Sequence, residues 1–289
     1  MPSDYIITAD NTCDMPAEYY AQNGIDLLRQ SYTVNEVTYT KDELSGPEFY
    51  RILRGGADAI TSLTNLESAT VFFEEQIKRS DKILHVTFSS GLSGSYTNVA
   101  NAAKDVMRRN PGKHIVTVDT LCASMGEGLL LDKAISLQKE GKTIEENVDW
   151  LEKNKLKLCH YFTVNDLFFL HKGGRVSRAS AILGSALSVK PILYVNNTGE
   201  LELISKARGR KASLNMLIDY MAKQTSGSYG QPVFISHGDS PEDAQYVADL
   251  VSKKFSPSKI IINHIGPVIG THAGPGTVAL FFFGNERKK

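Results

Sequence analysis

Apolar and polar positions along this chain fall into blocks whose period changes from two to between three and four, and the changes mark a repeated unit. Tyr5 to Ala9 is a short β-prone run ending at Asp10, and the polar stretch DNTCDMP follows, with Pro16 placed near a first helical turn. KILHVTF, residues 82–88, reads as a buried parallel strand. It leads through SSGLSGS into YTNVANAAKDVMRR, where Tyr96, Val99, Ala103 and Val106 recur at helical spacing. HIVTVD, residues 114–119, precedes a third helix whose apolar side includes Leu130, Ala134 and Leu137. Three strands that each deliver a polar loop to a helix start predict one parallel sheet. Asp10, Asn11, Thr12, Ser93 and Asp119 would then gather along its carboxyl edge, where open α/β sheets bind ligands.

Tyr32 to Thr40 reads as extended, and LSGPEFYRILR as a helix begun near Ser45 and Pro47. Thr61 and Ser62 fall in a polar turn before a helix that Asn65 could cap. Thr143 and Glu146 have capping-box spacing in KTIEENVDWLEKN, and the extended run LKLCHYFTV follows, so a boundary is expected near Trp150. This divides the chain into an N-terminal domain, 1–150, and a C-terminal domain, 151–289. In the second, NDLFFLHKGGRVS predicts a short helix stopped by Gly173 and Gly174, with Ser177 capping the next. VKPILYV and ELELISKAR flank NNTG as a hairpin. Helices over 211–224 and 242–255, strands PVFISH and KIIINHI, the loop GPVIGTHAGPG and a last strand TVALFFF complete an α/β protein.

Lys plus Arg and Asp plus Glu are both 32, so zero formal net charge supplies no general attraction to nucleic acid or to an anionic membrane. No apolar run approaches the ~20 residues that span a bilayer, and MPSDYIITAD lacks the build of a signal peptide, which predicts a soluble cytoplasmic protein without membrane insertion. Cys13, Cys122 and Cys159 are far apart and form no CxxC pair, and the seven histidines show no paired metal spacing; neither a disulfide framework nor a metal site is expected.

The most distinctive chemistry lies in SSGLSGSY. Gly91 and Gly94 let backbone N–H groups converge, and Ser93 and Ser95 place hydroxyls at a helix start, which suits an anion; a purely structural cap uses the same residues. His272, among Gly270, Gly274 and Gly276, has small neighbours that admit a ligand, or it bonds within its own loop. Ser93, Asp119 or Asp166, and His272 keep the chain order of a hydrolase triad, but Ser95 occupies the second glycine position of the nucleophile elbow. A dinucleotide fingerprint and a GxxxxGK[ST] nucleotide loop are both absent. Lys172 and Arg175, with Lys206, Arg208, Arg210 and Lys211, are either solvated charge or a basic docking surface.

DNTCDMP, TSLTN, SSGLSGSY, FTVNDLFFLHKGGRVS, ALSVKPIL, ISKARGRKA and IGPVIGTHAGPG together resemble the DegV family of bacterial fatty-acid-binding proteins over nearly the whole chain. The resemblance implies an N-terminal three-layer α/β domain with a parallel sheet and a C-terminal α/β domain with a mixed sheet, enclosing a long-chain fatty acid between them. No cofactor is implied beyond that ligand. By carry-over, Thr61, Ser62, Ser93, Gly94 and His272 bind the carboxylate. Thr64 and Asn65 stand where the family more often has proline and serine, which puts the stiffness of that loop in question. Leu167, Phe168, Ile182, Leu183, Leu187, Ile192, Ile265 and Phe282 flank the motifs and are expected to line the acyl tail. Relatives act as non-catalytic carriers that present the carboxylate to a separate ATP-dependent fatty acid kinase, giving acyl phosphate for phospholipid synthesis. Arg175 would lie near the pocket mouth and Arg208 at a kinase-docking position. A serine hydrolase acting on acyl esters and a lipid-responsive interaction protein are the alternatives.

Overall fold

The computed structural model describes residues 4–41, 43–165, 167–177, 188–225 and 230–287. Its first part runs β1 (Ile6–Asp10), a 3-10 turn at Asn11–Cys13, α1 (Ala17–Asn23), β2 (Asp26–Leu28), β3 (Tyr32–Val34), β4 (Val37–Tyr39), α2 (Gly46–Arg54) and β5 (Ala59–Thr61). Then come α3 (Leu66–Gln76), β6 (Lys82–Thr87), α4 (Ser95–Arg109) and β7 (His114–Asp119). Strands in the order β2, β1, β6, β7 pair in parallel, and β4, β3, β5 form a small antiparallel sheet beside them. The helix starts follow the chemistry in the sequence. Ser45 accepts from Glu48 N–H at 3.4 Å and Asn65 from Ser68 N–H at 2.7 Å, each satisfying a donor the helix cannot.

The chain continues through α5 (Met125–Lys139), α6 (Ile144–Asn154), a 3-10 turn at Lys155–Lys157, β8 (Leu158–Thr163), α7 (Phe168–Lys172), β9 (Val189–Val195) and β10 (Leu201–Arg208). It ends with α8 (Arg210–Gln224), β11 (Val233–His237), α9 (Pro241–Phe255), β12 (Ile260–His264), α10 (Pro267–Ala273) and β13 (Val278–Phe283). These strands form a mixed sheet in the order β10, β9, β8, β13, β11, β12, in which β11 and β12 run parallel and the other neighbours antiparallel. Thr143 and Glu146 close the capping box of α6. Residue 150 falls inside that helix, so the chain passes to the mixed sheet through the turn at Lys155–Lys157. Trp150 packs edge-on against Phe283 at 5.7 Å, under the Lys133 ammonium.

The parallel sheet is the middle of three layers. α3 and α4 cover one face around Phe73, Ile83, Val99 and Val106. α5 and α6 cover the other, and there the core does not stop: Ile7, Val86, Leu129 and Leu130 belong to one buried cluster with Leu158, Phe162, Leu193, Phe234 and Phe281 of the mixed sheet. α5 therefore lies between two sheets, which explains why Leu129, Leu130 and Leu131 are all buried instead of forming one stripe. Two glycines permit this approach. A β-carbon at Gly126 would stand 2.3 Å from the His160 ring, and one at Gly128 would stand 2.8 Å from the Cys13 carbonyl oxygen. α8 and α9 cover the outer face of the mixed sheet, around Tyr161, Ile192, Ile235, Leu280 and Phe282.

Two elements differ from expectation: Thr61, read as part of a polar turn, is the last residue of β5 and pairs with Tyr32, and the C-terminal glycine-rich stretch holds a helix. GPVIGTHAGPG is not all loop, because Pro267 starts α10 and His272 stands in its last turn.

Candidate functional site

The loop after β6 is clamped at its root from both neighbouring strands. The Asp10 carboxylate at the end of β1 accepts from Phe88 N–H at 3.0 Å, and the Asp119 carboxylate at the end of β7 accepts from Ser90 N–H at 3.1 Å. The loop then leans on the β9 to β10 turn. Ser89 Oγ donates to the Gly199 carbonyl at 2.8 Å, and a β-carbon at Gly91 would stand 2.3 Å from the Thr198 carbonyl oxygen, so only glycine fits.

Ser95 does not serve as a helix cap. Its hydroxyl accepts from Thr64 N–H at 3.0 Å, while Asn98 donates to the Thr64 carbonyl at 2.9 Å, and Ser93 Oγ lies 2.9 Å from Ser95 Oγ. α4 starts at Gly94 without a side-chain cap bond. The TSLTN segment is thus stitched to the serine loop through both backbone groups of Thr64. A proline at that position has no N–H to give, so the threonine replaces ring stiffness with a hydrogen bond.

From the other side, α10 delivers His272. Its Nε2 is 2.8 Å from Thr61 Oγ1, and Nδ1 is buried without a hydrogen-bond partner among the described residues. Burial, and then the Arg175 guanidinium, push the imidazole pKa down to about 4, so it is neutral at neutral pH. Arg175 donates from Nε to the Leu92 carbonyl at 3.2 Å and from Nη1 to the Gly173 carbonyl. Burial lowers its own pKa from the usual guanidinium range. Gly173 makes room for the imidazole: a β-carbon there would stand 2.1 Å from His272 Nδ1.

These groups face one cavity of about 420 Å³, within the range of small-molecule sites. Thr61, Ser62, Ser93, Gly94 and His272 all line it, gathered from β5, the serine loop and α10, and Arg175 lines it beside them. The rest of the wall is largely apolar and includes Phe88, Leu92, Phe162, Leu170, Ile265 and Phe281.

The tail residues expected from sequence divide. Ile265 lines the cavity. Leu167 is buried in the adjoining core, and Phe168 is exposed. Ile192 and Phe282 are corrected to the far face: both side chains pack under α8 and α9, because strand residues alternate faces and the cavity side of β13 is Ala279 and Phe281. Ile182, Leu183 and Leu187 lie outside the described residues. Arg175, expected near the pocket mouth and on a docking face with Arg208, lines the cavity, whereas Arg208 at the end of β10 is exposed. Reasoning from sequence missed His160, Ser124 and Ser236, which also line the cavity. Strand alternation puts His160 on the face of Phe162, but all of LCHYFT is buried, so nothing in its sequence marks that face as the inward one.

The triad reading finds little geometry. Ser93 Oγ pairs with Ser95, the charge acting on His272 is the Arg175 guanidinium, and Asp119 is engaged by the N–H groups of Ser90 and Leu121. Asp166 lies outside the described residues, and among the described residues no cluster of His, Cys, Asp and Glu could hold a metal ion. No described helix is long and apolar enough to cross a membrane.

The family model described as "Uncharacterised protein, DegV family" matches residues 5–285. A DegV domain-containing protein of Clostridium perfringens is 40% identical, over 98% of this chain and 99% of its own length. Among solved structures, a DegV family protein from Thermus thermophilus described by its fatty acid binding superposes with a TM-score of 0.88 at 25% identity, covering 97% of this chain and 99% of that one. A DegV lipid-binding protein from Thermotoga maritima superposes with a TM-score of 0.87 at 28% identity, covering 99% of this chain and 100% of that one. Family match, sequence identity and two-sheet architecture agree over the whole length, and the chain belongs to the DegV family.

Proposed function

We propose that this protein binds a long-chain fatty acid, with its tail in the cavity and its carboxylate among Thr61, Ser62, Ser93, Gly94 and His272, and hands it to a separate ATP-dependent kinase in the cytoplasm. The observation that carries the reading is a mainly apolar cavity in which Thr61, Ser62, Ser93, His272 and Arg175 share one pole. The fatty-acid-binding and lipid-binding relatives of the same fold support it.

Burying about 15 methylenes at ~0.8 kcal/mol each gains roughly 12 kcal/mol before association costs, whereas one charge-assisted hydrogen bond nets about 1.5–3 kcal/mol. The tail holds and the polar pole orients. A neutral His272 can donate one hydrogen bond without adding charge, and Arg175 supplies the positive charge a buried carboxylate requires. Arg175 thus belongs to the ligand, and Arg208 with the exposed Lys206 remains for the kinase surface. The chain has no nucleotide loop of the GxxxxGK[ST] form, which fits a presenting subunit and a phosphoryl donor held by its partner.

Denaturing extraction of purified protein followed by mass spectrometry should release a stoichiometric fatty acid. A protein empty after purification and after incubation with fatty acids would refute the binding reading. For presentation, Ser93→Ala and His272→Ala should lower kinase-coupled acyl phosphate formation while tail binding persists; full turnover in both would refute the assigned roles.

A further inference from the structure

The far end of the cavity is not apolar. α10 and the serine loop set the carboxylate pole near the start of β13, and Thr277, Ala279 and Phe281 then line the cavity in order along it. Four residues of strand carry this path about 14 Å from the pole. There His160 on β8 pairs with Phe281, is 2% exposed and lines the cavity, yet its Nε2 has no hydrogen-bond partner among the described residues. The ring packs edge-on to Phe281 and over Gly126, where a β-carbon would stand 2.4 Å from Nε2. Burial, followed by the charge of Arg287, holds the imidazole neutral, so it has one N–H and one lone pair.

Beside it the wall carries a second polar group. Ser124 Oγ lies 2.6 Å from an Asp14 carboxylate oxygen and 2.9 Å from Ser236 Oγ. Ser124 Oγ is thus within donor reach of both the carboxylate and Ser236, and Ser236 is paired through it. Ser236 is fully buried and lines the cavity one row nearer the pole than His160, opposite Ala279. Plain hydrocarbon offers nothing to His160 Nε2, and leaving a buried polar atom unpaired is costly.

Resting on the fatty-acid reading above, we propose that the cavity is built for an acyl chain carrying a hydroxyl near its middle, which pairs with His160 beside Ser236. A hydroxyl both donates and accepts, so it serves the imidazole in either tautomer and can serve Ser236. A keto oxygen only accepts and cannot.

The test uses delipidated full-length protein and competition against a fluorescent fatty acid. The competitors are stearate, stearate hydroxylated near mid-chain and its isomer hydroxylated beside the carboxylate. The mid-chain isomer should bind about five- to ten-fold more tightly than stearate, and the other isomer should show no such gain. His160→Phe should reverse the preference, because the hydroxyl then has no imidazole to meet. Nitrogen NMR of histidine-labelled wild-type protein gives a readout free of mutation: the His160 ring signal, assigned by its loss in His160→Gln, should shift with the mid-chain isomer and not with stearate. Stearate binding as tightly as the mid-chain isomer, with an unmoved ring signal, would mean that a trapped water serves His160; the hydroxyl proposal would fall and the fatty-acid reading stand. Binding of none of the three would overturn both.

Discussion

Phe281 and Phe282 are adjacent on β13 and almost completely buried, but they face different things. Phe281 lines the cavity, while Phe282 packs under α8 and α9. Replacing either by alanine removes the same ring from a buried site and should destabilise the fold by about 3–5 kcal/mol. Their effects on ligand choice should differ completely. In Phe281→Ala the lost ring leaves space contiguous with the tail, and a ligand two carbons longer can fill it at ~0.8 kcal/mol per methylene, or about 1.6 kcal/mol. The affinity ratio of the longer acid to the shorter should therefore rise about 15-fold over wild type. In Phe282→Ala the void opens behind the sheet and the ratio should stay at the wild-type value. Competition binding with a ladder of saturated acids gives the ratios, and chemical denaturation gives the stabilities. Equal shifts in both variants, or a shift in Phe282→Ala alone, would refute the placement of the tail. If Phe281→Ala does not fold, Phe281→Leu should show the same direction on a smaller scale.

Gly173→Ala should leave the backbone unstrained, since that residue has φ near −75°, but it should drive His272 off Thr61 and weaken carboxylate binding roughly ten-fold, read as the loss of one hydrogen bond by calorimetry. His272 has its pKa lowered from 6.5 to about 4, so the fold binds fewer protons there than the unfolded chain does between those values. The stability from keeping it neutral is complete above pH 6.5 and lost as pH falls toward 4; between pH 7 and pH 5 ligand-free wild type should lose about 1–2 kcal/mol more than His272→Gln in urea unfolding. Arg287, 3% exposed, donates to the Leu158 and Leu121 carbonyls at 2.7 Å each and to the Asn196 carbonyl at 3.1 Å, so Arg287→Met should cost about 3 kcal/mol and lower the melting temperature; an unchanged melting temperature would refute that role.

Much of this architecture is written locally. The switch from branched runs to helical spacing marks β1, β6 and β7 with their helices, and Ser45, Asn65 and Thr143 announce helix starts because a cap needs only its own next turn. Facing is less legible. TVALFFF is apolar at successive positions because β13 is buried on both sides, so no polar residue marks which face meets a ligand. That is why Phe282 is a natural choice from sequence and Phe281 the residue on the cavity. Arg175 reads as surface charge for a related reason: composition cannot tell that the Leu92 and Gly173 carbonyls turn its guanidinium inward.

The polar pole is assembled across the whole chain, and this ties the site to the fold's stability. Thr61 meets His272 across 211 positions, Ser89 meets Gly199 across 110, and the Asp14 carboxylate meets Gly266 N–H across 252. Each of these bonds joins the part that carries the parallel sheet to the part that carries the mixed one. Local sequence signals cannot encode such contacts, because none exists until both sheets have packed on α5. A ligand that bridges the same two parts binds only the packed state, and it must stabilise that state by an amount that grows with the logarithm of its concentration. In a membrane-free assay the carboxylate pole and the junction between the sheets should therefore gain hydrogen-exchange protection together on adding fatty acid, whereas α3 and the outer face of α4, which pack away from the cavity, should not lead that change.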